Sequence, residues 1–317
     1  MTPHIVTDPP HLRPLTILLY HGVTASRPHG IENHSGKHIQ VATFHEQMTL
    51  VKQHCTPLSM DEAMAINQSG ADFPRHAVVI SFDDGFRNNY TLAAPILAEL
   101  GLPAVFYLTS GMIHTDMIFW VDRIEAAINH TRLTHLTIPL GDAHPTLPLA
   151  TSAEKIQAVT RIKSFCKQAP QAERDQVLAT LIAQTQVDPS ADLAENYRML
   201  TWPQVKAMDA DPLFTIGGHS LYHDVLSSLP HARMLADLDL SIGLLAYGCG
   251  HPIHHYSYPE GQANHYNATI VEALQQRGIR YCPSAIHGVN PKGSDPFHLR
   301  RIMVGFQEIP FPFFPSE

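Results

Sequence analysis

The strongest constraint on the fold is a short β-branched apolar run, Ala77-Val-Val-Ile80, that leads into Ser-Phe-Asp-Asp-Gly. An apolar run of this length that ends in a turn is typical of a buried strand. Such a strand delivers Asp83 and Asp84 side by side at its carboxyl end. Adjacent carboxylates in this position repel each other and are both desolvated, a cost that a bound cation would remove. Asp-Asp-Gly also occurs in plain solvated turns, so the rest of the chain must decide between the two interpretations.

The order of elements along the chain predicts an α/β fold. Strands are expected at 15–20, 77–82, 104–109, 214–218, 254–258, 279–282 and 300–304, with helices between most of them. This alternation favours a parallel sheet with right-handed connections, closed into an incomplete or distorted (β/α)7 barrel. Functional residues in such folds lie at the carboxyl ends of strands, and both His21 and the Asp83-Asp84 pair follow predicted strands.

One stretch, about 112–198, interrupts this alternation with helical patterns and a loop rich in proline and histidine. Its strong apolar positions are few, so no separate core is expected there. The chain is therefore predicted to be a single catalytic domain, 1–317, that carries a helical insertion.

Composition excludes several classes of protein. With 21 Lys and Arg against 29 Asp and Glu, and no basic block, a nucleic-acid-binding surface is not expected. The four cysteines form no Cys-x-x-Cys pair, which indicates reduced thiols. No apolar run approaches the roughly 18 residues of a membrane span, and the N-terminus lacks a signal-peptide pattern, so a cytoplasmic location is expected. The apolar, proline-rich stretch 309–314 is expected to pack on the body or on a second subunit, which makes a homodimer one option. A membrane-surface contact is the alternative.

A histidine pair supplies further candidate ligands. In His219-Ser-Leu-Tyr-His223 the two imidazoles are four residues apart, a spacing that places them on one face of a helical turn. In a chain with 22 histidines such a pair is weak evidence by itself. Together with a carboxylate from another strand end it forms an N/N/O set that leaves room for water, which is the catalytic pattern for zinc.

Three motifs in this order, Ser81-Phe-Asp-Asp-Gly85, His219-Ser-Leu-Tyr-His223 and Tyr256-Ser-Tyr-Pro-Glu-Gly261, resemble the polysaccharide deacetylase family, also known as carbohydrate esterase family four. The similarity extends to 200–205, 223–227 and 299–304. Leu18-Leu-Tyr-His21 resembles the family's C-terminal Leu-x-His motif moved to the front by circular permutation, as in some exopolysaccharide deacetylases.

The resemblance implies roles for the charged residues of the first two motifs. Asp84, His219 and His223 would bind a divalent metal, Zn²⁺ or another ion. Asp83, beside the metal but not bound to it, would be the general base. The two adjacent carboxylates would then have different tasks.

The resemblance also implies an acid and an oxyanion contact. His21 would be the general acid, with His298 as a rival that precedes its strand instead of following it. The backbone N–H of Glu260 would help to hold the oxyanion.

Weaker assignments concern substrate binding and the orientation of the base. Ser257 stands where the family often has an arginine that orients the base, so another group must do this. Asp122 or Arg123 could serve, or could form an ion pair on a helix surface. Trp120 could stack on a sugar or belong to the core. Tyr258 could line the pocket or fill the barrel. Pro259, the next residue, is a further weak candidate for substrate binding.

The activity that the resemblance implies is hydrolytic removal of an N-acyl group, acetyl or formyl, from an amino sugar or a sugar-containing substrate by a metal-activated water. The substrate could be a small molecule, a sugar nucleotide or a lipid-linked sugar. Two alternatives remain open. One is a metal-independent hydrolase of a cyclic amide or ureide on the same barrel, and the other is a non-catalytic carbohydrate-binding relative. The intact set of Asp84 and two histidines speaks against the first, and the presence of Asp83 speaks against the second.

Overall fold

The computed structural model describes residues 13–27, 29–187 and 194–306. The prediction for 309–314, and most of the N-terminal stretch, lie outside these residues. The described residues divide into two compact units. The first unit draws on 13–25, 35–115 and 199–306, and the second on 26–34 and 116–198.

Strands and helices alternate along the first unit and cluster in the second. The strands are β1 (Thr16–Tyr20), β2 (Gly22–Thr24), β3 (His38–Gln40), β4 (Thr56–Pro57), β5 (Ala77–Phe82), β6 (Ala104–Leu108), β7 (His135–Thr137), β8 (Thr146–Pro148), β9 (Phe214–Gly218) and β10 (Ile302–Met303). The helices are α1 (Val41–His54), α2 (Met60–Ser69), α3 (Ala94–Leu100), α4 (Trp120–His130), α5 (Ser152–Gln168), α6 (Gln171–Thr185), α7 (Trp202–Asp209), α8 (His231–Cys249) and α9 (Ala268–Gln276).

The first unit is built on a parallel sheet with the order β10-β1-β5-β6-β9, and β4 pairs with β5. Beyond β9 the pairing continues through isolated parallel bridges, from Gly218 to Tyr256 and from His255 to Tyr281. The expected (β/α)7 barrel is confirmed. Its distortion lies in the predicted strands 254–258 and 279–282, which pair through these two isolated bridges instead of continuous ladders.

The wall closes between its last segments. The backbone N–H of Ser284 donates to the carbonyl of Leu299 at 2.8 Å, and that of Arg301 donates to the carbonyl of Ile286 at 3.0 Å. Residues 299–301 run directly into β10, which pairs with β1. Segments from the two ends of the sequence therefore lie side by side, as a closed barrel requires.

The strands of the barrel bury both of their faces, which explains why their sequences are continuously apolar. On one face, Ile17, Val79 and Val105 pack with residues of α2. The other face packs under helices that include α1, α3, α7 and α8. Because both faces of these strands are buried against apolar side chains, polar side chains of the sheet lie at the strand ends, here the carboxyl ends.

The second unit has a hydrophobic core of its own. Helices α4, α5 and α6 and the antiparallel hairpin β7-β8 enclose it. Its buried residues are Ile31, Ile124, Ala127, Ile128, Leu136, Ile138, Leu147, Leu149, Ala158, Val159, Ile162, Cys166, Val177, Leu178 and Leu181. The prediction that 112–198 lacks the apolar positions for a core is wrong. The reason is that each helix contributes only a few such positions, and Ile31 comes from a distant part of the chain.

Two expectations from composition can be checked on the fold. The four cysteines are all present as free thiols. Within the described ranges, none of the helices has the length and apolar character that crossing a membrane would require.

Candidate active site

The predicted functional side chains follow strands that are neighbours in the barrel. β1 pairs with β5 so that Tyr20 lies opposite Phe82, and the next residues are His21 and Asp83. The backbone N–H of Asp83 donates to the carbonyl of Tyr20 at 2.9 Å. His219 follows β9 directly. The register of parallel strands therefore brings these side chains to one edge of the sheet.

The three predicted metal ligands form a cluster at this edge. One ligand atom from each of Asp84, His219 and His223 lies within 4.8 Å of the others. Oδ1 of Asp84 is 3.6 Å from Nε2 of His219 and 3.3 Å from Nε2 of His223. Asp84 and His219 are buried, whereas His223 is half-buried. Within the described part of the chain, this Oδ1 atom finds no hydrogen-bond partner although it is buried.

The tautomer of His219 indicates what this cluster can hold. Its Nδ1 lies 2.9 Å from the carbonyl oxygen of Ser257. Because a carbonyl only accepts, Nδ1 carries the proton, and Nε2 presents its lone pair to Asp84. Histidines that ligate metals are typically held in this way by a backbone carbonyl.

Burial acts on both groups, raising the pKa of Asp84 and lowering the pKa of His219. An unbonded carboxylate oxygen facing an imidazole lone pair in a buried site is a donor set that fits a divalent cation.

The loop that carries the two histidines differs from the predicted helical turn. Residues 219–223 are not helical, and Ser220 and His223 have φ angles of 61° and 63°. Left-handed backbone at non-glycine residues is uncommon and is found where surrounding contacts fix it. The prediction of a helical turn is wrong, because these left-handed residues, not an i, i+4 helical face, bring the two imidazoles together.

Two buried groups that were not predicted hold this loop. The hydroxyl of Tyr256 accepts the backbone N–H of Ser220 at 2.8 Å. The carboxylate of Asp237 on α8 accepts the backbone N–H of Leu221 at 3.1 and 3.3 Å. Burial raises the pKa of Asp237 to about 6, although the N–H of Leu221 lowers it. The loop between the histidines is thus anchored from the barrel wall and from a helix.

A buried arginine orients Asp83. The guanidinium of Arg301 donates Nη1–H to Oδ1 at 2.8 Å and Nη2–H to Oδ2 at 2.7 Å. It also donates to the hydroxyls of Ser81 and Ser257 and to the carbonyl of Ser284. These contacts use all five N–H groups of the guanidinium. The paired, fork-like geometry fixes the plane of the Asp83 carboxylate.

Arg301 fills the role for which the sequence offered Asp122 or Arg123, and sequence reasoning missed it. The available signal was the similarity of 299–304 to the family, since that stretch begins with two arginines and enters the last strand. In a closed barrel the last strand lies beside the first, and the first pairs with β5. Burial by itself raises the pKa of Asp83, but the charge and hydrogen bonds of Arg301, with the nearby His219, lower it to about 2.

His21 stands at the same edge as the two carboxylates. Its ring is half-buried and packs edge-on against Phe306, with 5.3 Å between the ring centres. Over the described ranges, its Nδ1 is buried without a hydrogen-bond partner. Burial lowers the pKa of His21, and the negative charges of Asp84 and Asp83 oppose that shift. The ring is therefore close enough to both carboxylates to respond to their charge, and its role as an acid stays a prediction.

His298, the rival acid, lies elsewhere. Its Nδ1 is 3.1 Å from Oδ2 of Asp295, and both side chains are more than half exposed. Contacts of this kind are ordinary surface ion pairs of small energetic value. Asp83, Asp84, His219 and His223 are here called the strand-end cluster. Among the described residues, His298 makes no hydrogen bond or ion pair with any of them.

The third motif contributes backbone geometry and packing. Glu260 follows Tyr258-Pro259 with a left-handed φ of 58°, and its role in holding an oxyanion stays a prediction. Tyr258 is buried, stacks on Tyr266 with ring centres 4.0 Å apart, and donates its hydroxyl to the carbonyl of Phe297. Tyr258 therefore belongs to the core of the barrel. Pro259 is buried next to it.

The other weak assignments lie in the second unit. Trp120 packs against the core of that unit, and the guanidinium of Arg174 lies 5.5 Å from its ring centre. Asp122 is buried in the first turn of α4, not exposed on the helix surface, and Arg123 beside it is half-buried. The contacts of Trp120 are those of a core residue.

The chain matches a protein-family model and is similar to known proteins. The family model described as polysaccharide deacetylase matches residues 70–282, well over half of the chain. The poly-beta-1,6-N-acetyl-D-glucosamine N-deacetylase of Escherichia coli (strain K12) is 26% identical over 101 residues. That stretch spans 30% of this chain but only 15% of the enzyme.

Solved structures resemble the chain over nearly its whole length. The structure of IcaB from Ammonifex degensii covers 92% of both chains with a TM-score of 0.59 and 18% identity. The deacetylase PplD of Streptococcus pyogenes, solved in complex with acetate, covers 96% of this chain and 100% of its own with a TM-score of 0.58 and 15% identity. At these identities the similarity establishes the fold.

Proposed function

The chain belongs to the polysaccharide deacetylase family, and on that premise we propose that it is a metal-dependent hydrolase that removes an N-acyl group from an amino sugar. One observation carries the proposal. Asp83, held by a buried arginine, stands directly beside a three-residue set that fits a divalent cation. A base and a cation site side by side are what hydrolysis of an unactivated amide needs.

Asp84, His219 and His223 would hold the ion, zinc or another divalent metal. Such an ion, when bound, supplies a Lewis acid and lowers the pKa of water to about 7. The carbonyl of Ser257 keeps the proton of His219 on Nδ1, so that Nε2 stays available. The anchored loop 219–223 keeps Nε2 of His219 and of His223 within 3.6 Å of Oδ1 of Asp84.

Asp83 would accept the proton of the attacking water. Arg301 keeps this carboxylate ionised at neutral pH and turns it in one direction. As the C–N bond breaks, His21 would donate a proton to the leaving nitrogen, so that a free amine and a carboxylate are the products.

The substrate is proposed from the family and its relatives. The E. coli relative is by name an N-deacetylase of poly-beta-1,6-N-acetyl-D-glucosamine. We propose an N-acetylated or N-formylated amino sugar, within a polysaccharide, a sugar nucleotide or a lipid-linked sugar. The cytoplasmic location and the homodimer stay predictions.

The test is release of amine and acid from N-acetylglucosamine oligomers and from N-formyl analogues. The full chain, loaded with zinc, should release amine and carboxylate in equal amounts, and a chelator should abolish the release. Asp84→Asn should lose it, whereas Asp72→Asn, which alters only a surface ion pair with Lys292, should not. Full activity of metal-free protein would favour a metal-independent C–N hydrolase. Sugar binding with no release under any metal would favour a non-catalytic relative.

A further inference from the structure

A second set of ligand side chains lies in the first unit, at the ends of two helices. Asp209 is the last residue of α7 and Cys249 the last residue of α8. His251 follows Gly250, whose φ of 83° ends α8 in the left-handed conformation. One ligand atom from each of Asp209, Cys249 and His251 lies within 4.8 Å of the others.

The histidine of this set is held in a ligand-like tautomer. Its Nδ1 is 3.0 Å from the carbonyl oxygen of Pro252, so Nδ1 carries a proton. Its Nε2 lies 3.1 and 3.0 Å from the two carboxylate oxygens of Asp209. With only Nδ1 protonated, the lone pair of Nε2 would face a carboxylate, which is unfavourable unless a cation lies between them. That cation is either a proton, which makes the ring an imidazolium, or a metal ion.

The thiol distinguishes this cluster from a simple ion pair. Cys249 contacts the same carboxylate of Asp209, so donor atoms of three different kinds lie within 4.8 Å of one another. Both helices present their C-terminal ends here, where the helix dipole places partial negative charge and favours a cation. Lys206 is the positive charge that faces the thiol.

The two helices are closely packed, which fixes the donors relative to one another. Gly248, one residue before Cys249, lies directly against the ring of Trp202 at the start of α7. A side chain at this glycine would collide with that ring. Both ends of the short helix α7 therefore contact the end of α8.

We propose that Asp209, Cys249 and His251 form a second metal site that binds a zinc-like transition-metal ion. A thiolate, an imidazole and a carboxylate together select zinc, cobalt or nickel over calcium and magnesium, which prefer oxygen ligands alone. Three protein ligands leave a position for water, and the half-exposed ring of His251 leaves that position open to solvent. On binding, the thiol releases its proton to solvent, and the ion ties the end of α7 to the end of α8.

Cobalt titration of the full, reduced chain tests this site, because cobalt bound to a thiolate shows a near-ultraviolet charge-transfer band. The wild type should bind two ions per chain and show the band. Asp84→Asn should bind one and keep the band, whereas Cys249→Ser should bind one and lose it. Cys55→Ser is the matched control, since Cys55 is also a half-buried thiol at a helix C-terminus, and it should behave like the wild type.

Two further measurements keep the test decisive. His251→Ala alters a half-exposed side chain and should weaken the band without changing the melting temperature of the metal-free protein. Zinc should raise the melting temperature of Asp84→Asn but not of Asp84→Asn combined with Cys249→Ser. Absence of the band in Asp84→Asn would show that Asp209 and His251 share only a proton, and persistence of the band in Cys249→Ser would place the thiolate elsewhere. Either result overturns the proposal.

Discussion

Replacing Arg301 tests how Asp83, the proposed base, is held. Arg301→Gln removes the guanidinium whose five N–H groups all bind inside the barrel. The buried Asp83 carboxylate then keeps the hydroxyl of Ser257 as a hydrogen-bond donor and Nε2 of His219 at 3.9 Å. Arg300→Gln is the matched control. Arg300 is the preceding residue, and its side chain is exposed. Among the described residues its guanidinium hydrogen-bonds to the carbonyl of His287.

The expected loss of stability follows from the burial of the pair. Removing one partner of a buried ion pair costs about 3–5 kcal/mol, because the other charge remains buried and unpaired. The lowered pKa of Asp83 accounts for part of this loss. A fall from 3.8 to about 2 stabilises the folded state by about 2 kcal/mol, present above the unfolded pKa and lost as the pH falls through about 2. In Arg301→Gln burial raises the pKa of Asp83 above its ordinary value, and this stabilisation reverses in sign.

Two assays follow the change. Urea unfolding at neutral pH should show a free energy of unfolding about 3–5 kcal/mol lower for Arg301→Gln and within about 0.5 kcal/mol of the wild type for Arg300→Gln. The acid limb of kcat/KM should move to higher pH in Arg301→Gln only, because removal of the guanidinium raises the pKa of Asp83. If the two variants are equally stable and share one acid limb, the ion pair does not hold the base and the argument fails.

Three further predictions concern other residues. Glu125 is buried in the second unit, and although burial raises its pKa, the hydrogen bond to His34 and nearby positive charge lower it to about 2. Glu125→Gln should therefore lower the free energy of unfolding by about 3 kcal/mol above pH 4.5, with the difference shrinking as the pH falls towards 2, as urea unfolding at several pH values would show. His21→Ala should lower kcat for amine release by about 10²–10⁴-fold while metal content stays the same, and an unchanged kcat would remove its role as the acid. Asp237→Ala frees the backbone N–H of Leu221 and should weaken zinc about 10–100-fold in competition with a chelator, whereas equal affinity would show that the loop needs no anchor.

The strand-end cluster could be predicted because local patterns determine it. A β-branched run followed by Asp83 and Asp84 identifies a strand end, and a second strand leads directly into His219. Parallel pairing then places the ends of neighbouring strands at one edge of the sheet, whatever the loops between them do. The fold class followed from the same alternation of strands and helices.

The remaining parts of the site depend on contacts between distant segments. Arg301 is 218 residues from Asp83, and only closure of the barrel brings it to β5. In the sequence, Tyr256 looks like an ordinary strand residue and Asp237 like an ordinary helix residue. Their hydrogen bonds to loop 219–223 depend on the left-handed backbone of that loop, which the sequence does not reveal. The core of the second unit was missed for a related reason, because Ile31 joins it from outside the insertion.

The most direct test of metal-assisted deacetylation measures zinc content and amine release on the same sample of Asp83→Asn. The variant should keep the ion held by Asp84, His219 and His223, because Asp83 is not one of the ligands. It should release amine from an N-acetylglucosamine oligomer about 10²–10⁴-fold more slowly than the wild type, since the proton of the attacking water has no acceptor. Full rate with zinc bound, or loss of the zinc together with the rate, would contradict the division of labour between the two adjacent carboxylates.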